Sequence, residues 1–137
     1  MRTINSISLA DARRVIDAGL AKAAEIGQPA NIAVADAGGN LLAFARMDDA
    51  WLGSIDIAIN KAFTSRAFDI RTSQLAEFAQ PGQQFYGINA SNHGRVMIFA
   101  GGIPLKLKDV VVGSVGVSGG TGAQDQAIAE AAVAALQ

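Results

Sequence analysis

No cysteine occurs anywhere in the 137 residues. A disulfide framework, a thiolate nucleophile, a Cys-ligated zinc, an iron–sulfur cluster and a Cys-linked haem are thereby excluded, and a reducing compartment is tolerated. Histidine is almost as scarce. His93 is the only one, so no His-based metal site can be assembled, no metal is expected, and neither a Ser-His-Asp nor an HExxH spacing exists. An excess of one charge is missing too: eleven Lys and Arg face twelve Asp and Glu, a formal −1. Nothing in that balance holds a phosphate backbone or an anionic lipid surface, so neither nucleic acid nor membrane is expected as a partner. No stretch approaches the ~18 consecutive apolar residues of a bilayer span. Met1 to Ser6 lack the apolar region of a secretory signal, and Asp11, Arg13 and Arg14 break up the apolar residues around them. The expectation is a cytoplasmic protein.

Half of the residues are apolar, with 27 alanines and 15 glycines in the chain. A folded core is implied, built by close backbone approach more than by bulky side chains. The length suits a single domain over residues 1–137.

Ser8 and Asp11 form a capping pair, and Ala12, Val15, Ile16, Gly19, Leu20, Ala23 and Ala24 recur at helical spacing until Gly27 and Pro29 stop the helix. Ile32 to Ala35, the turn chemistry of Asp36-Ala37-Gly38-Gly39-Asn40, and Leu41 to Ala45 read as a β-hairpin with a loop longer than two residues. Ser54 to Phe68 carries a second helix, and Thr72 or Ser73 caps a short third one that runs to Ala79. Gln83 to Arg95 reads as a loop. Val96 to Ala100 reads as a strand, Gly101 to Pro104 as a break, Leu105 to Lys108 as a short strand, and Val110 to Ser118 as a long one. A final Ala-rich helix starts near Ala123. Segregated hairpins and helices predict an α+β domain with an antiparallel sheet.

Ser118-Gly119-Gly120-Thr121-Gly122 leads from a strand into a helix. Its backbone N–H groups and the helix N-terminus would suit a carboxylate or phosphate, or else the glycines merely turn the chain and Ser118 or Thr121 caps the helix. Asp36, Arg46 and Asp48 flank the hairpin strands, and Lys61 sits on an otherwise apolar helix. The hairpin is expected to bring the three to the same region, with Lys61 able to point toward it, so that they could clamp an anion or move protons; the alternative is an ion-pair set that orients helix on sheet. His93 is a candidate general base or haem ligand, or a solvated loop residue. Beside it, only Tyr86, Met47 and Met97 could serve haem iron axially. Trp51 beside Met47 and Leu52 could lie over a flat ligand, although core packing or a subunit interface explains it and Phe63, Phe68 and Phe78 better.

Several segments together resemble the GlcG/HbpS family, which includes the C-terminal domain of PduO-type proteins. They are Val34 to Leu41, Phe44-Ala45-Arg46-Met47-Asp48, Lys61-Ala62-Phe63-Thr64, Gly101-Gly102-Ile103-Pro104, and Gly113 to Gly120 with Gln124-Asp125. The resemblance covers nearly the whole chain. It implies a profilin-like α+β fold with a five-stranded antiparallel sheet flanked by helices, usually in homo-oligomers. Some relatives bind haem, some are linked to corrinoid metabolism, and others sit among small-acid catabolic functions. A histidine that some PduO-type domains use on the first helix has no counterpart in residues 8 to 26.

The residues and the resemblance leave two function classes. One is an oligomeric protein that binds haem, another tetrapyrrole or a small anionic ligand, with Arg46, Met47, Lys61 and Ser118, Gly119, Gly120, Thr121 and Gly122 around the cofactor. The other is a cofactor-free isomerase, hydrolase or lyase on a small organic acid, in which Asp36, Asp48, Lys61 or His93 moves protons.

Overall fold

In the computed structural model, which describes residues 1–137, the chain opens with helix α1 (Leu9–Ile26). Ser8 caps it by accepting from the Asp11 N–H, and the Asp11 carboxylate accepts from the Ser8 N–H in return, so two N-terminal donors of the helix end are satisfied. Gly27 ends it in the left-handed conformation. The hairpin comes next as β1 (Asn31–Asp36) and β2 (Leu41–Arg46), then helices α2 (Gly53–Ala67) and α3 (Thr72–Phe78). Strands β3 (Gly102–Leu107) and β4 (Val110–Ser118) and helix α4 (Gly122–Ala134) complete the chain.

The strands form one antiparallel sheet in the order β2-β1-β4-β3. Four strands, not five, corrects the expectation. Val96 to Ala100 is apolar, and Val96 is buried, but the segment forms no strand. Its main chain is held from the side by α2: the Met97 N–H donates to the Thr64 hydroxyl, which lies 3.3 Å from the Arg95 carbonyl. An apolar run satisfies burial without strand pairing when a helix side chain takes its backbone groups. The neighbouring break is itself strand: β3 begins at Gly102 and includes Pro104, which an edge position tolerates because only one side of the strand is laddered.

Helices α1 and α4 pack on one face of the sheet over a cluster that includes Val15, Ile32, Val34, Val115, Val117 and Ile128. Helix α2 covers the other face, where the apolar cluster is only Ala33, Ala35, Ala58 and Ala62 with Phe44 and Ile59 beside it. The close approach has a cause in β4. A Cβ on Gly116 would run into the Ala58 carbonyl and the Ala62 amide of α2, so glycine there sets how near the helix lies. No helix is long and apolar enough to cross a membrane.

Candidate functional site

Register places three residues in a row at one end of the sheet: Asn31 opens β1 and pairs with Arg46 at the end of β2 and with Ser118 at the end of β4. Arg46, Met47 and the Ser118 to Gly122 segment, which the sequence singled out separately, therefore share this end. Asp36 does not. It closes β1 at the turn, a full strand length away, where its carboxylate accepts from the Gly38 and Asn40 N–H groups. The expectation that the hairpin gathers Asp36, Arg46 and Asp48 is corrected by this register: Asp36, beside the turn, lies next to the start of β2, whereas Arg46 stands at the open end opposite Asn31.

From Ser118 the chain turns through Gly119, at φ 149° and with its Cα so close to Pro29 that a Cβ would stand 2.8 Å from the Pro29 carbonyl oxygen. The Gln28 side-chain amide straps this turn, donating to the carbonyls of Pro29 and Gly119 at 2.9 Å each. Thr121 then caps α4, accepting from the Gln124 N–H while the Gln124 side chain accepts from the Thr121 N–H. Between this loop, Gln28-Pro29 and the Asp49 to Trp51 turn lies an open cleft of about 430 Å³. Trp51 is 68% exposed there and Leu52 71%, so neither belongs to the core.

Two of the loop's donors are already engaged within the fold. The Gly120 N–H donates to Asp125 Oδ1 at 2.9 Å and the Thr121 N–H to Gln124 Oε1 at 2.9 Å. Asp125 is the functional neighbour that sequence reasoning passed over. Its second oxygen lies 3.1 Å from the Lys61 Nζ, which also donates to the Val117 carbonyl at 2.8 Å and sits 4.8 Å from the centre of the Phe99 ring. Lys61 is wholly buried and its carboxylate partner nearly so. Burial pushes the Lys61 ammonium below the ordinary lysine value of 10.5, and the charge and hydrogen bond of Asp125 pull it part of the way back. Lys61 is thus a structural cation tying α2 to β4 and, through Asp125, to the glycine loop. The expectation that it points toward Asp36, Arg46 and Asp48 is corrected by these partners. One signal was available: a lone lysine on an apolar helix needs a counter-charge, and Asp125 is an acid in the first turn of a helix behind glycines.

The proton-moving candidates are dispersed. Asp48 is exposed just past β2, and His93 is exposed on the segment between α3 and β3. His93 and Asn92 both hold left-handed backbone, φ 57° and 52°, a conformation that side-chain-bearing residues enter at a cost. Tyr86 and Phe85 are exposed on the same segment, and the Arg95 guanidinium stacks 3.7 Å from the Phe63 ring. Met47 is part-buried against the larger core cluster and Met97 is part-buried beside Thr64.

The sequence profile of the family described as haem degrading protein, HbpS-like, matches residues 7–134. The chain belongs to this family. An uncharacterised 15.0 kDa protein of the dhaT-dhaS intergenic region of Citrobacter freundii is 45% identical over 95% of this chain and 92% of its own length. The corrinoid adenosyltransferase PduO of the same organism is 36% identical over 96% of this chain, which spans only 39% of that enzyme. Among solved structures, Klebsiella pneumoniae ORFY superposes with a TM-score of 0.97 at 39% identity, covering 99% of this chain and 94% of its own. A PduOC–haem complex superposes with a TM-score of 0.91 at 34% identity, covering 95% and 94%.

Proposed function

We propose that this HbpS-like protein binds haem or a related tetrapyrrole and does so as a homo-oligomer. The observation that carries the reading is the likeness, in sequence and over the whole fold, to a domain solved with haem bound. The donor chemistry agrees with it. A haem iron needs a ligand not already committed to the fold, and of the four candidates only His93 and Tyr86 are exposed. His93 would supply the axial nitrogen, Phe85 and Tyr86 an aromatic surface for the macrocycle, and Arg95 on the same segment a cation for a propionate. Bound haem would add redox and oxygen-binding chemistry that no side chain of this chain provides. Exposed apolar side chains outside that surface, among them Leu41, Leu52, Leu107 and Val110, support an assembly in which they are covered by another copy.

Haemin titration followed by gel filtration tests the reading. A Soret band should travel with the protein at a multiple of 14.1 kDa. His93→Asn, which keeps the left-handed backbone accessible, should shift that band or abolish it. A colourless protein peak after filtration overturns haem binding, and a haem-loaded His93→Asn with an unchanged spectrum overturns His93 as ligand.

A further inference from the structure

The cleft between the glycine loop and Trp51 has a chemical bias of its own, independent of haem. Its only formally charged lining residue is Asp49, which is exposed, forms no ion pair and holds left-handed backbone at φ 68°. Gln28 spends both hydrogen bonds of its NH₂ group on the Pro29 and Gly119 carbonyls, which leaves its side-chain oxygen as an acceptor. Asp49 and the Gln28 side-chain oxygen are thus acceptors at the cleft with no hydrogen-bond partner in the fold. Two loop donors that an anion could use, the Gly120 and Thr121 N–H groups, are already bonded to Asp125 and Gln124. Arg46 and Asp48, the charges nearest in sequence, cancel formally, and neither lines the cleft. Beside these acceptors stands the exposed indole of Trp51, whose ring face attracts cations more strongly than any other side chain's.

We infer that this cleft is a binding site for an organic ammonium cation, with Trp51 against the charge, Asp49 as its counter-ion and the Gln28 side-chain oxygen as an N–H acceptor. An anion would bring further acceptors to a place where acceptors already lack partners. A primary or secondary ammonium supplies both the positive charge and the donors that the site is short of.

Trp51 is the only tryptophan in the chain, so intrinsic indole emission reports on this cleft alone. The experiment titrates the full-length protein with n-butylammonium chloride and, separately, with sodium butyrate at matched ionic strength, so that the two probes share a carbon chain and differ in charge. Butylammonium should change the emission saturably while butyrate leaves it flat. Asp49→Asn, at an exposed position where asparagine also accepts left-handed backbone, should weaken the butylammonium response about tenfold or more. Saturation by butyrate in place of butylammonium would overturn the inference in favour of an anion cradle. No saturation by either probe, or a butylammonium response indifferent to Asp49→Asn, would overturn it as well. The Soret measurement on haem-treated protein is read at another wavelength and another residue, so the two readings fail separately.

Discussion

The two faces of the sheet are held by different physics. Toward α1 and α4, Ile32, Val34, Val115, Val117 and Ile128 interlock with Val15 and Ile16 in a cluster of 16 buried residues, and stability there scales with apolar area removed from water. Toward α2 the apolar cluster shrinks to four alanines, and directional bonds take over. Ser114 donates to the Ala62 carbonyl, Thr64 donates to the Asn60 carbonyl within α2, and Lys61 reaches the Val117 carbonyl and Asp125. Area-based packing is forgiving, because neighbours relax into a small loss of volume. A face built from backbone contact and buried polar groups has no such slack: each group is either satisfied or costly. The candidate cleft lies at the end of the sheet where this second kind of packing reaches the glycine loop, through Lys61, Asp125 and Gly120.

Breaking the polar face should have the largest effect. Lys61→Met keeps the volume roughly but leaves Asp125 buried and unpaired, a loss on the order of 3–5 kcal/mol. Urea unfolding should show a midpoint far below that of the parent, and a loss under about 1 kcal/mol would mean that the pair is hydrated in solution. A direct contrast between the faces comes next. Gly116→Ala forces a Cβ into the α2 backbone, which cannot rotate away, and should cost about 1–3 kcal/mol. Ile32→Val, on the opposite face, only empties the space that the Ile32 Cδ1 fills beside Gly19 and should cost about 0.5–1.5 kcal/mol. Equal losses in thermal melts would erase the distinction between the faces.

The smallest effect is a dependence on pH. The folded-state value of Lys61 lies below its unfolded value of 10.5, so between the two the unfolded chain binds the proton and the folded chain does not. More protons on the unfolded side mean that stability contributed by this group rises with pH across that window, and is lost again as pH drops toward the folded value. Denaturant unfolding in alkaline buffers should therefore give the parent a more positive slope of stability against pH than Lys61→Met, which lacks the titrating amine. Parallel slopes would indicate that burial leaves the amine unperturbed.

Much of the fold was legible in the amino-acid order, and the failures share a pattern. Ser8 with Asp11 marked the first residue of α1, and the β-branched run Val110 to Ser118 matches β4 end to end. At the candidate site the loop Ser118 to Gly122 was legible as a strand-to-helix junction, yet the direction in which its N–H groups point was not. That direction depends on Asp125 being held by Lys61, 64 positions earlier in the chain. Trp51 illustrates the same limit: core packing and a subunit interface were both open for its indole, and only the position of the β2–α2 turn, which leaves it 68% exposed, removes the first.

Amino-acid order alone therefore accounts for what is closed by bonds within about four residues, the capped starts of α1 and α4, the Asp36 turn and the runs of helix, and for where the central strands run though not for how they pair. Those choices depend on side-chain period and local hydrogen bonds, which can be counted along the chain. Tertiary packing was needed to select which end of the hairpin meets the glycine loop and whether Val96 to Ala100 pairs as a strand. It also selected which carboxylate neutralises the buried lysine and takes the Gly120 N–H of the loop. Those outcomes depend on register and on contacts between distant segments. Several pairings satisfy the same local pattern, and the backbone and polar groups left over after packing select one of them.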